Sequence, residues 1–392
     1  CKKIEVGRWD SALRIPHSLT TRASQLVTHN LRMLVMSEPT EIVHVVAELG
    51  EFDAPLHMRN LAASQVRGGK QVAVVVFQAD HQSRKELLDQ GIDCLVVRRR
   101  WRADPFAAWQ LVRELRRLRP RVVHLWEAAT ADFAAVLRWG VPEAKWIATL
   151  GEFSRYRNLA ERRNNLALDT IVVEEPTSGD RRVTTIVPGI ALEAGVAEPR
   201  GDILTEWKLP AEARIVGVAG LFARSQRLDE VLWNFELVRT LHEDACLVIV
   251  GEGPDQPRLE RYAGQVSELG SIRFLPAREN LTRILAQADI WWQVGESPTL
   301  PTALLSAMHL GKPIVATDTP AHRRAIAPDT SGYLAPVDKR GLWTRYTDEF
   351  LRNEFLRNEF GTAAQAHARD RFTLGTMLQQ YAAIYGEGAV GY

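Results

Sequence analysis

Short apolar runs and amphipathic segments alternate along most of this chain. Ile42-Val43-His44-Val45-Val46 reads as a buried strand, and a helix is expected over about Pro55 to Val66. Strands at 71–77, 93–97 and Val122-Val123-His124-Leu125 then alternate with helices at 81–90 and from Asp104-Pro105 to Arg119. Further strands are expected at 146–150, Ile171-Val172-Val173 and Ile186-Val187-Pro188. A second series opens at Ile215-Val216-Gly217-Val218. It continues through helix 228–240, strand 247–250, helix 257–265, strand 272–275 and helix 281–288. Such alternation predicts parallel sheets with helices on both faces. The fold class is therefore α/β, with two Rossmann-like doubly wound domains facing a cleft.

Domain bounds follow from the same pattern. Residues 1–40 lack clean periodicity and read as an N-terminal extension, with one helix around 20–36. An N-terminal Rossmann-like domain takes 41–195 and a C-terminal one 196–360, joined by a Pro- and Gly-containing linker at 191–210. Residues 361–392 are expected to form a helix crossing back to the first domain. The last fifty residues read as helical and carry a direct repeat, EFLRN from Glu349 and again from Glu354. Its period of five fits neither helix nor strand and implies no function.

The most organised stretch runs from Ala286 to Asp318. Ile290, Trp291, Trp292 and Val294 predict a strand, and Gly295-Glu296-Ser297-Pro298-Thr299 a loop. Thr299 is the candidate N-cap of a helix whose first turn holds Pro301, and Leu304, Leu305, Met308 and Leu310 give it a buried stripe. Gly311-Lys312-Pro313 ends it before the strand Ile314-Val315-Ala316. A helix N-terminus at a strand's carboxyl end collects unpaired N–H groups and the positive end of the dipole, so it can receive a phosphate or a sugar hydroxyl. An ordinary crossover with nothing bound has the same pattern.

Composition narrows the partners. At 392 residues, with 46% hydrophobic and 25% charged, the chain has material for two cores, and its net charge of +1 gives no bulk case for nucleic acid. Cys1, Cys94 and Cys246 are too few and too scattered for a disulfide framework or metal cluster, which favours a reducing, cytoplasmic setting. No apolar run reaches membrane-spanning length. A first residue of Cys implies a truncated or processed chain; a lipidated N-terminal cysteine is the alternative, but Lys2-Lys3 carries no signal for it.

Several stretches together resemble the GT-B glycosyltransferases of the retaining family-four (group 1) type. Leu300 to Met308 and Gly311 to Asp318 are similar to that family's donor-site helix and following strand. Val250-Gly251-Glu252-Gly253-Pro254, Val187-Pro188-Gly189-Ile190 and Ser331-Gly332-Tyr333-Leu334 are similar to three of its turns. The resemblance runs from about Ile42 to Tyr381. It implies transfer of a sugar from a nucleotide-diphosphate donor to a saccharide or lipid-linked acceptor, with neither metal nor further cofactor. The donor would rest against the second domain on Gly220, Arg224, Arg227, Arg278, Thr299, Leu300, Pro301 and Thr302.

The chain departs from the family where charge is needed. Leu221 and Gln226 stand where the family places an Arg and a Lys on the diphosphate, leaving Arg224 and Arg227 as replacement cations or as solvated surface residues. Pro298 and Ser306 stand where two glutamates are expected, with Glu296 two residues early, and Arg324 replaces another glutamate. In the first domain the glycine-rich loop becomes Gly50-Glu51-Phe52-Asp53, where Phe52 obstructs and Asp53 repels a diphosphate. Catalytic candidates are Glu296 and His124, although a lone His at a strand end is more often a hydrogen-bonded structural residue. The donor site is degenerate, so the alternative is a catalytically inactive relative that binds a saccharide or a partner enzyme.

Arg98 to Arg121 carries nine arginines against Asp104 and Glu114. Phe106, Trp109, Val112, Leu115 and Leu118 make its helix amphipathic. Either that stripe packs on the sheet, or the segment touches anionic lipid peripherally at the inner membrane surface.

Overall fold

The computed structural model describes residues 40–386, apart from 51–52, 102–103, 151–165, 175–179, 192–198, 268–269, 277–280, 296–298 and 337. All strand pairs between named strands are parallel, in two sheets. The first contains β1 (Ile42–Glu48), β2 (Val72–Gln78), β3 (Asp93–Val96), β4 (Val122–Trp126), β5 (Lys145–Thr149), β6 (Thr170–Val173) and β7 (Val183–Thr185), ordered 3-2-1-4-5-6-7. The second contains β8 (Arg214–Ala219), β9 (Ala245–Val250), β10 (Ile272–Leu275), β11 (Ile290–Gln293), β12 (Ile314–Thr317) and β13 (Tyr333–Ala335), ordered 10-9-8-11-12-13. Strand order reverses between β1 and β4 and again between β8 and β11. Crevices at the carboxyl ends of strands open at such switch points.

Burial on both faces explains the unbroken apolar runs: six of the seven residues of β2 are buried. The helices of the first half are α1 (Asp53–Arg67), α2 (His81–Asp89), α3 (Pro105–Leu118), α4 (Glu127–Ala131) and α5 (Ala134–Gly140). The rest of the chain adds α6 (Arg200–Glu206), α7 (Leu228–Arg239), α8 (Gln256–Val266), α9 (Leu281–Gln287), α10 (Thr302–His309), α11 (Pro320–Ala325), α12 (Arg340–Arg352), α13 (Glu354–Arg371) and α14 (Leu374–Tyr385). One face of the first sheet packs on Leu111 and Leu115 of α3 and Leu137 of α5. Its other face packs on Met58 and Leu61 of α1 and on Met377, Leu378 and Tyr381 of α14.

The two-domain α/β architecture is the expected one, with local shifts. The strand expected at Ile186-Val187-Pro188 lies earlier, at β7, because Pro188 has no N–H to donate to a ladder. Within the expected linker, α6 forms and buries Ile203 and Leu204 against the second core. Helices α4 and α5 fill a stretch where the pattern gave no element. The segment expected as one crossing helix from 361 is divided. Through its close approach to Gly311 at Gly361, α13 stays on the second domain, and Gln365 Nε2 donates to the His309 carbonyl at 2.8 Å. Only α14 crosses. The EFLRN repeat straddles the break between α12 and α13, so Phe350 is fully buried while Phe355 is 76% exposed. Residues 1–39 lie outside the described residues.

At the crossing, Ile190 N donates to the Phe372 carbonyl and Leu374 N to the Ile190 carbonyl, at 3.1 and 3.0 Å. A Cβ added at Gly189 would sit 2.1 Å from the Thr373 carbonyl oxygen. Gly189→Ala is therefore expected to cost ~1–3 kcal/mol of stability by overpacking against backbone. Urea unfolding checks this: a lowered midpoint at unchanged slope is the expected outcome, and an unshifted midpoint contradicts it.

Candidate functional site

A cleft of about 960 Å³ lies at the carboxyl ends of β4, β5 and β6 and is closed on the far side by Thr299 and Leu300 of the second domain. Four acids of the first domain line it, Asp53 at the start of α1, Glu127 at the start of α4, Asp132 just after α4 and Glu174 just after β6, together with Arg99 and Arg100.

Two of these acids reach across to the N-terminus of α10. Thr302 N donates to Asp53 Oδ1 at 3.0 Å, Thr302 Oγ1 donates to the same oxygen at 3.3 Å, and Asp53 N donates to Thr302 Oγ1 at 3.0 Å. Leu300 N donates to Glu174 Oε2 at 2.7 Å, and Arg324 Nη2 to that oxygen at 3.2 Å. The N-cap position of α10 is Pro301, which makes no side-chain cap bond, so Thr299 is not its cap. The cap comes from the other domain. A carboxylate at a helix N-terminus satisfies orphan donors and meets the dipole favourably, so the amides expected to stand open for an anion are occupied by the chain's own acids.

This contact strains the groups that make it. Asp53 adopts φ +54°, a left-handed conformation that Asp tolerates better than most residues. Burial raises its carboxyl pKa, against the hydrogen bonds from Thr302. Burial likewise pushes Glu174 up to about 8, against the Leu300 amide and Arg324. Glu127, also at positive φ (+69°), is pushed up to about 7 by burial and by the neighbouring Glu48 and Asp53. His57 lines the same cleft, is held down to about 4 by burial, and has Nε2 buried with no hydrogen-bond partner. A neutral imidazole avoids the cost of burying a charge there.

His124 is fully buried and does not line the cleft. Its Nδ1 is hydrogen-bonded to the Tyr385 hydroxyl at 2.6 Å and its Nε2 to Thr149 Oγ1 at 2.8 Å, with Thr149 in turn bonded to Tyr381 at 2.9 Å. Trp126 Nε1 donates to His44 Nδ1 at 3.1 Å beside it. Burial, then the neighbouring His44, holds the His124 ring well below the usual histidine pKa. Both nitrogens are committed to seating α14, a geometry that suits a structural residue and leaves none for a reacting group.

On the second domain, Gly220 and Gly295 converge on Gln226: a Cβ at Gly295 would sit 2.1 Å from Gln226 Oε1, and one at Gly220 4.0 Å from it. A neutral amide thus stands at the carboxyl ends of β8 and β11. Arg224 is exposed and Arg227 turns to Glu230 at 3.7 Å; neither lines the cleft, nor do Gly220, Pro301 and Thr302. Arg278 and Glu296 lie outside the described residues. Sequence reasoning placed Asp53 only as an obstacle and passed over Glu174, Glu127 and His57. An acid directly after the buried run Ile171-Val172-Val173 was the available signal for Glu174.

Residues 200–367 match the family model described as glycosyl transferases group 1. Over 164 residues the chain is 25% identical to N-acetyl-alpha-D-glucosaminyl L-malate synthase of Bacillus anthracis, covering 42% of this chain and 43% of that protein. Over 249 residues it is 26% identical to GDP-mannose-dependent alpha-mannosyltransferase of Mycolicibacterium smegmatis, covering 58% of this chain and 64% of that one. The matches thus span less than two thirds of either relative. In structure, the chain superposes on Anabaena HepE, solved in complex with UDP and glucose, with a TM-score of 0.75 at 14% identity, covering 88% of this chain and 99% of HepE. With two switch-point sheets around one cleft, this chain has the GT-B architecture, and its second sheet lies in the stretch, 200–367, that is similar to the glycosyl transferases group 1 model.

Proposed function

We propose that this chain moves a sugar from a nucleotide-diphosphate donor on its second domain to a saccharide or lipid-linked acceptor on its first, with no cofactor beyond the donor. The observation that carries this reading is the pair of amides at Leu300 and Thr302. Both already donate to carboxyl oxygens, so the backbone there presents N–H donors to an oxygen ligand at the positive end of the helix dipole. The transferases named above support the reaction class, and the neutral His57 and raised Glu127 pKa supply hydrogen-bonding and proton-transfer groups on the acceptor side.

A second reading, an inactive relative that binds a saccharide or a partner enzyme, is favoured by one specific feature: Gln226 and Leu221 leave the diphosphate position without the family's two cations. Calorimetry with UDP, GDP and ADP separates the two. Micromolar to millimolar binding of at least one supports transfer; no binding at millimolar ligand supports the inactive reading. Gln226→Lys puts an ammonium where Gly220 and Gly295 converge, and is expected to tighten binding roughly tenfold through a charge-assisted contact. If binding of a nucleoside diphosphate to that variant is unchanged, the diphosphate does not lie at Gln226.

A further inference from the structure

Helix α3 has two faces, and the sequence pattern accounts for only one. Ala107, Ala108, Leu111, Leu115 and Leu118 are buried against the first sheet. At about 100° per residue, Phe106, Trp109, Arg113, Arg116 and Arg117 fall on the opposite side, in a stripe about 100° wide. All five are exposed. Two members of the expected apolar stripe, Phe106 and Trp109, are thus 57% and 56% in solvent, stacked on each other with centroids 5.8 Å apart. Arg113 lies over the Trp109 ring at 5.2 Å. Trp101, just before the helix, is also 56% exposed and lines the mouth of the cleft with Arg99 and Arg100.

We infer that this outward face of α3, with Trp101 beside it, is a docking surface for an anionic lipid bilayer, which sets the mouth of the cleft against the membrane. Charge complementarity selects the occupant. The segment Arg98 to Arg121 holds nine arginines and two acids in a chain whose total is only +1, so the remaining chain is net acidic and the excess of positive charge is concentrated in this segment. Of the two acids, Asp104 is buried and caps α3, accepting from Phe106 N and Ala107 N, and Glu114 pairs with Arg113 and Arg117, offsetting one of their two charges and leaving the face net positive. Arginines reach phosphates while exposed Trp and Phe rings enter the headgroup boundary. Orientation follows from chain direction. The aromatic end of α3 follows the carboxyl end of β3, on the cleft side of the sheet, so docking there presents the cleft to a membrane-borne head group. The choice of a lipid-linked over a soluble acceptor rests on the transferase reading; the docking does not.

Sedimentation of the full chain with vesicles tests it without any nucleotide, so its failure and that of donor binding are read separately. With phosphatidylglycerol mixed into phosphatidylcholine, the protein is expected in the pellet at low salt and increasingly in the supernatant as salt rises. Phosphatidylcholine alone is expected to retain little. Phe106→Ser with Trp109→Ser is expected to lower the partition at least tenfold, and Arg113→Glu with Arg117→Glu by more than the roughly fivefold expected per lost basic residue. Circular dichroism and an unchanged thermal midpoint verify that these surface variants fold. Absence of wild-type binding to the anionic vesicles, equal binding to both compositions, or binding indifferent to both double variants would overturn the inference. Light scattering covers a second copy as occupant: a wild-type dimer that Phe106→Ser with Trp109→Ser converts to monomer also overturns it.

Discussion

Asp53→Asn combined with Glu174→Gln is expected to tighten nucleoside-diphosphate binding by roughly tenfold to a hundredfold. Both carboxyls sit on amides that a donor phosphate would use, so the ligand must displace them and then tolerate their charge. Two unit charges about 5 Å apart interact with about 3 kcal/mol at an effective dielectric constant near 20, which sets the upper end of the range. The lower end reflects Glu174, whose carboxyl, pushed up to about 8, is largely uncharged at neutral pH. Asn and Gln keep an acceptor oxygen for Thr302 and Leu300, so the helix stays capped while the repulsion is removed. Titration calorimetry with UDP and GDP measures the change. Affinity equal to that of the unaltered protein would mean that these carboxyls stand outside the donor's path.

Stability is expected to fall by about 2–3 kcal/mol between pH 6.5 and 8, and Glu174→Gln is expected to abolish most of that fall. Glu174 and Glu127 stay protonated in the fold up to about 8 and about 7, whereas an unfolded glutamate ionises above about 4.5. Their contribution is complete below the unfolded pKa and is lost as pH climbs through the folded one. Buried histidines act in the opposite direction. His44 and His57, held down to about 4, stay neutral in the fold while an unfolded histidine takes up a proton below about 6.5, so each withdraws about 1.4 kcal/mol per pH unit from there down to 4. Below about 6.5 these histidines, joined by His124, oppose the glutamates, and between 6.5 and 8 the glutamates dominate. Urea midpoints across a pH series measure this; a flat profile from 6.5 to 8, or an unaltered slope in Glu174→Gln, would contradict it.

The architecture was legible because it is written in local periodicity. Runs such as Val72 to Phe77 and Ala245 to Val250 are apolar on both faces and bounded by turn residues, which leaves few alternatives to a parallel strand. The site was legible only on one side. The pattern located the N-terminus of α10 at Thr299 to Thr302 but not what lies on it, because its cap, Asp53, comes from 249 residues away. Local signals do not encode such a partner. Arg324 shows the same limit: in sequence it is a lost glutamate, in the structure it donates a hydrogen bond to Glu174, an acid the pattern gave no reason to pick. Phe106 and Trp109 failed for a different reason. Amphipathicity identifies an apolar stripe but not its width, and the aromatics at its border turned outward.

Because α14 supplies Met377, Leu378, Tyr381 and Tyr385 to the first sheet's inner layer, that sheet is complete in sequence at Thr185 yet lacks part of its packing until the far end of the chain has been made. During synthesis the leading half waits with His124 of β4 and Thr149 of β5 lacking their α14 partners while the trailing half, whose own cores close with α12 and α13, finishes ahead of it. Order of emergence from the ribosome and order of consolidation therefore run in opposite directions.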